Sequence, residues 1–192
     1  MFPAGIISGM AGYTETIQAG QLTPTRIAAI LREKFCELIL EDNSDDKHPR
    51  VHISADNWRT VAEFLRHDER CRFNWLSCIT SLDYVADDKL ACCYDLMSYQ
   101  YRHEFAIKVF TDRDNPSIPS VADIWPAANW HEREAFDLMG IDFPGHPDLR
   151  RILLPEDWVG HPLRKDYVFP REYHGIPGSY EMDWQQKPTY PT

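Results

Sequence analysis

With 192 residues, 43% of them hydrophobic and 26% charged, the chain has the composition of one globular domain with an appendage. A formal net charge of −10 argues against a general nucleic-acid binder, which needs a basic face, and against electrostatic docking on anionic lipid headgroups. No apolar run approaches the roughly 20 residues that cross a bilayer, so no transmembrane segment is expected.

The opening residues 1–20, MFPAGIISGMAGYTETIQAG, are mildly apolar but lack a basic start, and read as a flexible lead rather than a signal peptide. Thr23 followed by Pro24 opens a first helix, a cap residue preceding proline at the first helical position. Ile27, Ile30, Leu31, Phe35 and Leu38 continue it at helical spacing to about Leu40. The run EDNSDDKHPR reads as a polar loop. Arg50 to Ser54 alternates as a short strand, and Asp56 is expected to cap a second helix through Val61, Phe64 and Leu65. Residues 73–85, 90–101 and 104–111 read as three strands, the first two joined by the acidic turn Ala86-Asp87-Asp88-Lys89. After the breaks at Asn115-Pro116 and Pro119-Ser120, a third helix is expected over residues 127–138. The order αβαβββα implies a two-layer α+β domain, with helices on a mixed, mostly antiparallel sheet.

Glycine and proline set the domain borders. No glycine occurs from Gln21 to Met139, whereas five occur from Gly140 onward together with eight of the 14 prolines. The organisation expected is a lead over residues 1–20, an α+β body over 21–140 and an extended, proline-rich, partner-wrapping C-terminal arm over 141–192. From Val168 the arm alone buries too little apolar area to offset its ordering entropy, and its aromatic residues favour ordering along another chain.

The cysteines, Cys36, Cys71, Cys78, Cys92 and Cys93, show no CxxC and no repeated pair, so neither a zinc nor an iron–sulfur site is expected. Their odd count, without a secretion signal, suggests reduced cytosolic thiols. His131-Glu132 resembles the start of a zinc-protease HExxH, but the second ligand position holds Ala135. Arg133 and Asp137 stand one helical turn apart and can pair. Glu134 and Asp137, three apart, put two carboxylates near one face, a pair that acid–base chemistry could use. A charge-paired helix surface gripping an arginine of the arm is the better reading, since no nucleophile accompanies them. Gly145-His146-Pro147 precedes Arg150-Arg151, and Gly160-His161-Pro162 precedes Arg164-Lys165. These are read as shaped turns presenting cationic forks to carboxylates or carbonyls, because the basic pairs would repel a metal. Trp130, Trp158 and Tyr167 flank these turns and belong to the residue types that dominate interface hot spots.

The stretches Ala128-Asn129-Trp130-His131-Glu132-Arg133-Glu134, Asp137, Gly140-Ile141 and Gly145-His146-Pro147-Asp148-Leu149-Arg150-Arg151-Ile152-Leu153 closely resemble the thirty-kilodalton subunit family of respiratory complex I. Asp157-Trp158 and Gly160-His161-Pro162-Leu163-Arg164-Lys165-Asp166-Tyr167 extend the match. The resemblance implies a non-catalytic structural subunit in the peripheral arm of the proton-translocating NADH–quinone oxidoreductase. It implies that this chain binds no cofactor, with FMN, iron–sulfur clusters and quinone held by partner subunits. The arm would wrap the large quinone-pocket subunit beside the terminal-cluster subunit, peripherally at the cytoplasmic face of the bacterial inner membrane. Glu132, Arg133, Glu134 and Asp137, with Arg150, Arg151, Arg164 and Lys165, would then form the charge-paired connection between body, arm and partners. The alternatives are the equivalent subunit of a membrane-bound hydrogenase or other quinone-reducing complex, and a free-standing carboxylate hydrolase.

Overall fold

The structure, a computed structural model, describes residues 20–170 and 172–177; the lead up to position 19 and the arm beyond 177 lie outside it. Helix α1 (Pro24–Phe35) begins as its sequence dictates: Pro24 occupies the first turn and Arg26 N donates to Thr23 Oγ1 at 3.3 Å. It buries Ile27, Ala28, Ile30 and Leu31. The helix ends earlier than its apolar spacing suggested. A 3₁₀ turn at Cys36–Leu38 leads into β1 (Ile39–Asn43), in a region read partly as helix and partly as loop. Pairing with β2 (Arg50–Ser54) decides this, because β1 lies at the sheet edge, where Glu41 reaches solvent and blunts the open ladder while Asp42 turns in to pair with Arg32 at 2.8 Å.

Helix α2 (Ala55–His67) takes Ser54 as its N-cap, without a side-chain capping bond. Asp56, expected to be the cap, lies inside the first turn, where its charge still faces the helix dipole favourably. Strands β3 (Trp75–Tyr84), β4 (Lys89–Ser98) and β5 (His103–Asp112) follow the sequence reading closely. The acidic turn between the first two closes through Asp88 in the left-handed region, φ 53°. Helix α3 (Ala128–Met139) completes the body, and β6 (Glu172–Tyr173) pairs with β7 (Ile176–Pro177) in a short hairpin.

The body is α+β, with a five-stranded mixed sheet in the order β1-β2-β5-β4-β3. β2 and β5 run parallel, and the other neighbours in that sheet are antiparallel. The three helices and the inward residues of the sheet share one core. Trp58 stands at its centre, its ring 4.3 Å from Tyr94 and 6.2 Å from Trp125, whose indole donates to Phe73 O at 2.8 Å. Core packing continues past Gly140 through Ile141 and Phe143, as Ile118 N donates to Asp142 O and Ser120 N to Pro144 O, each at 2.9 Å. Among the described residues, no helix is long and apolar enough to cross a membrane.

Candidate functional site

Helix α3 carries charges where a helix normally carries aliphatics: Glu132, Arg133 and Asp137 are all buried. For Arg133 and Asp137 the residues after Gly140 explain why, because they are laid against this helix and bonded to it. Glu132 is instead bonded to Ser120 and Val121 ahead of the helix. Asp137 is wholly buried. Its Oδ2 accepts from the backbone N–H groups of Ile152, Leu153 and Leu154 at 3.0, 2.8 and 2.9 Å, and its Oδ1 from Arg151 Nη1 at 2.9 Å. Burial pushes this carboxyl up, but the three backbone donors and Arg151 outweigh burial and hold it below the ordinary carboxylate value.

The helix C-terminus is closed by the same segment. Its last four carbonyls would be orphaned in isolation. Gly140 N donates to Phe136 O at 3.0 Å, His161 Nδ1 to Asp137 O at 3.0 Å, Leu163 N to Leu138 O at 3.0 Å and Arg164 Nε to Met139 O at 2.8 Å. Gly140 sits at φ 70°, and a Cβ there would collide with the His161 ring. The earlier Gly-His-Pro turn grips the other end: His146 Nε2 donates to Asn129 O at 3.1 Å while its Nδ1 accepts from Asp148 N at 3.0 Å. Both ring nitrogens of His146 are therefore engaged by the backbone.

A second tie reaches the sheet. Asp83, buried at the end of β3, accepts from Arg113 Nε at 2.9 Å and from Lys165 N at 2.9 Å, and Arg113 Nη2 also donates to Asp166 at 2.6 Å. The guanidinium beside Asp83 holds its carboxyl below the ordinary value, against burial. Sequence reading singled out Lys165 and Asp166 but missed Asp83 and Arg113. The available signal was Asp83 itself, opposite the buried Leu90, since a carboxylate at an inward strand position demands a partner.

The remaining residues fall into place unevenly. Arg133 does not pair with Asp137. Arg151 holds that carboxylate, and Arg133 instead lies 5.1 Å over the exposed Trp130 ring and donates to Arg150 O at 3.2 Å. Glu134 is exposed and makes no ion pair with a described residue, so it shares no site with the enclosed Asp137. The arm covers Asp137 and leaves Glu134 at the surface. Glu132, wholly buried, accepts from Ser120 Oγ at 2.5 Å and Val121 N at 2.8 Å; burial raises its carboxyl to about 7 despite those donors. Arg150 pairs with Asp148 at the surface. The Trp158 ring lies 5.1 Å from Tyr173, and Tyr167 donates to Val159 O at 3.0 Å while packing over Gly160. Burial pushes the Cys92 thiol up to about 12 and those of Cys71 and Cys93 to about 11, so they stay protonated. Among the described residues, no group of three or more histidine, cysteine or acidic side chains is arranged to hold a metal. The arrangement is a clasp, in which polar contacts from α3 fix an irregular segment and leave its other side facing outward.

Comparison with known proteins agrees with this architecture. A family model described as respiratory-chain NADH dehydrogenase, 30 Kd subunit, matches residues 51–173. The corresponding NADH-quinone oxidoreductase subunit of Chlorobium phaeobacteroides is 45% identical over 153 residues, covering 79% of this chain and 92% of that protein. Its counterpart from Chloroherpeton thalassium is 43% identical over 153 residues, and there the match spans only 63% of the relative's length. Among solved structures, a trypsin-resistant fragment of Nqo5 superposes with a TM-score of 0.54 at 30% identity, over 67% of this chain and all of that one. A chain from a membrane-bound sulfane sulfur reductase, an archaeal respiratory membrane complex, shares the fold with a TM-score of 0.63 at 23% identity, over 75% of this chain and 85% of that one.

Proposed function

The chain belongs to the 30 kDa subunit family of respiratory-chain NADH dehydrogenase, and on that premise we propose that it is a structural and assembly subunit of an NADH–quinone oxidoreductase. In this reading the holoenzyme carries electrons from NADH to quinone coupled to proton translocation. The chain itself is not catalytic, and FMN, iron–sulfur clusters and quinone belong to its neighbours. The neighbours contacted are the large quinone-pocket subunit and the terminal-cluster subunit, at the cytoplasmic face of the membrane.

One observation carries the proposal. The clasp engages Arg151, His161, Arg164 and the backbone of residues 152–154, yet Leu153, Val159 and Leu163, and Val168 and Phe169 just beyond Tyr167, stay exposed. Large apolar side chains held outward on a fixed scaffold mark a surface made for another protein. Trp130, 64% exposed with Arg133 against its ring, adds a hot-spot residue pair beside it. The test is to recover the tagged chain from mildly solubilised membranes and assay NADH-dependent quinone reduction. Co-purification of cluster-bearing and quinone-pocket subunits with that activity is expected. A hydrogenase large subunit in their place would move the chain to a sister complex, and a chain recovered alone would overturn the reading.

A further inference from the structure

Arg133 departs from the pattern that other enclosed charges follow. Asp83 and Asp137 each hold an arginine, Arg113 and Arg151, and both of those arginines are more open to solvent than Arg133. Arg133 is only 4% exposed, and among the described lysines and arginines it alone is buried. It nonetheless forms no ion pair with a described residue. Its Nε donates to Arg150 O at 3.2 Å, whereas Nη1 and Nη2 bond to no described residue. Neither terminal nitrogen is sealed from solvent, so the charged end of an otherwise enclosed side chain reaches the surface.

The carboxylates around it are engaged elsewhere or face away. Asp137, one turn further along α3, is filled by Arg151 and three amides. Glu132 is bonded to Ser120 and Val121, and Asp148 on the arm accepts from Arg150 Nε at 2.9 Å. Glu134 follows Arg133 directly, and adjacent positions on a helix do not face each other. Arg133 is also held in place, with Nε tied to Arg150 O and the guanidinium 5.1 Å from the centre of the exposed Trp130 ring. A planar fork fixed in this way loses little freedom on gaining a partner. Enclosing its charge without a counter-charge is unfavourable. An incoming cation would be repelled and a neutral group would leave the charge uncompensated, so the complementary partner is a carboxylate.

We propose that Arg133 and Trp130 receive a carboxylate, an aspartate or glutamate side chain of a neighbouring subunit that is forked by Nη1 and Nη2 beside the Trp130 ring. The inference rests on the reading of the chain as a complex subunit and gives that docking surface its charge requirement. It is tested in the full chain, expressed in membranes that assemble the complex, with a photoreactive benzoylphenylalanine in place of Trp130. The probe should crosslink to a segment of a different subunit that carries Asp or Glu. Changing that acid to its amide should lower the assembled complex at least roughly tenfold, and Arg133→Met should do the same. The two changes together should cost little more than either alone, as for two halves of one pair. Arg133→Lys, which keeps the charge but not the fork, should lose less. In the purified chain Arg133→Met should lower the unfolding temperature by no more than about 4 °C, which separates lost docking from lost folding. The amide change leaves this chain untouched, so it decides the question even where Arg133→Met unfolds. A crosslinked segment without an acid, crosslinks confined to a second copy or to this chain's own residues, or undiminished assembly of the amide variant would overturn the proposal. If the unsubstituted chain recovers no oxidoreductase subunit, the functional reading falls and this inference with it. If it recovers them and the amide variant assembles normally, only this inference fails.

Discussion

Asp137 remains charged inside the protein because four donors converge on it, three of them backbone N–H groups that no rotamer change can withdraw. Asp137→Ala strands the partly buried Arg151 and three amides, and breaking such a pair typically costs about 3–5 kcal/mol. The expected result is rapid hydrogen exchange at Ile152, Leu153 and Leu154 and a lowered unfolding midpoint; protected amides in the variant would show that other contacts hold the arm. Glu132 behaves in the opposite sense. Its carboxyl moves from an ordinary 4.5 to about 7 because burial disfavours the charge. The fold therefore prefers its protonated form, so its contribution is complete below the unfolded value and is lost as pH rises towards 7. That separation corresponds to an upper figure on the order of 3 kcal/mol. Glu132→Gln, which keeps the shape and can still bond Ser120 and Val121, should be more stable than the parent at pH 8 and nearly equal to it at about pH 4, below the unfolded value. Urea unfolding at both values checks this, and a difference independent of pH would mean that Glu132 does not titrate in that range.

At the scale of elements, α3 is completed by residues far from it in sequence. Its C-terminal carbonyls find donors in His161, Leu163 and Arg164, so helix and arm form one cooperative unit. Gly140→Ala tests that unit. The substitution places a side chain in the left-handed region, at a cost of about 1 kcal/mol, and pushes a Cβ into His161, which is itself bonded to Asp137 O. A loss of about 1–2 kcal/mol is expected, with trypsin cleavage at Arg164 and Lys165 appearing earlier than in the parent. A variant that loses stability without that cleavage would uncouple the arm from the helix end. The same element shows where sequence reading was strong. Gly140 and the Pro-rich turns mark the helix end unaided, because only certain backbones accept them. The pairing of Asp137 with Arg151 rather than Arg133 was not legible, since spacing along one helix says nothing of a chain that returns to cover it. β1 was hidden for a related reason: its polar residues suit an edge strand and a loop equally, and only the presence of β2 beside it decides.

At the scale of the whole described structure, body and clasp form one scaffold that holds large apolar side chains such as Val159 and Leu163 outward. Glu134 belongs to this scale, being exposed on α3 beside Trp130 and Arg133. Glu134→Ala should leave the isolated chain as stable as the parent, within about 0.5 kcal/mol, yet reduce the amount of assembled oxidoreductase recovered with a tagged copy. Activity per assembled complex should be unchanged. Normal assembly with altered turnover would instead give Glu134 a part in the chemistry.

The sequence by itself determined the α+β class, the sheet's three long strands, the start of α1 and the family, because these depend on local periodicity, caps and a dense linear motif. Only the tertiary structure decided which charges meet, why Glu132 is raised while Asp137 is lowered, and which face of the sheet carries the core. Those outcomes depend on distances between segments remote along the chain, and on how much water their packing removes from each charged group.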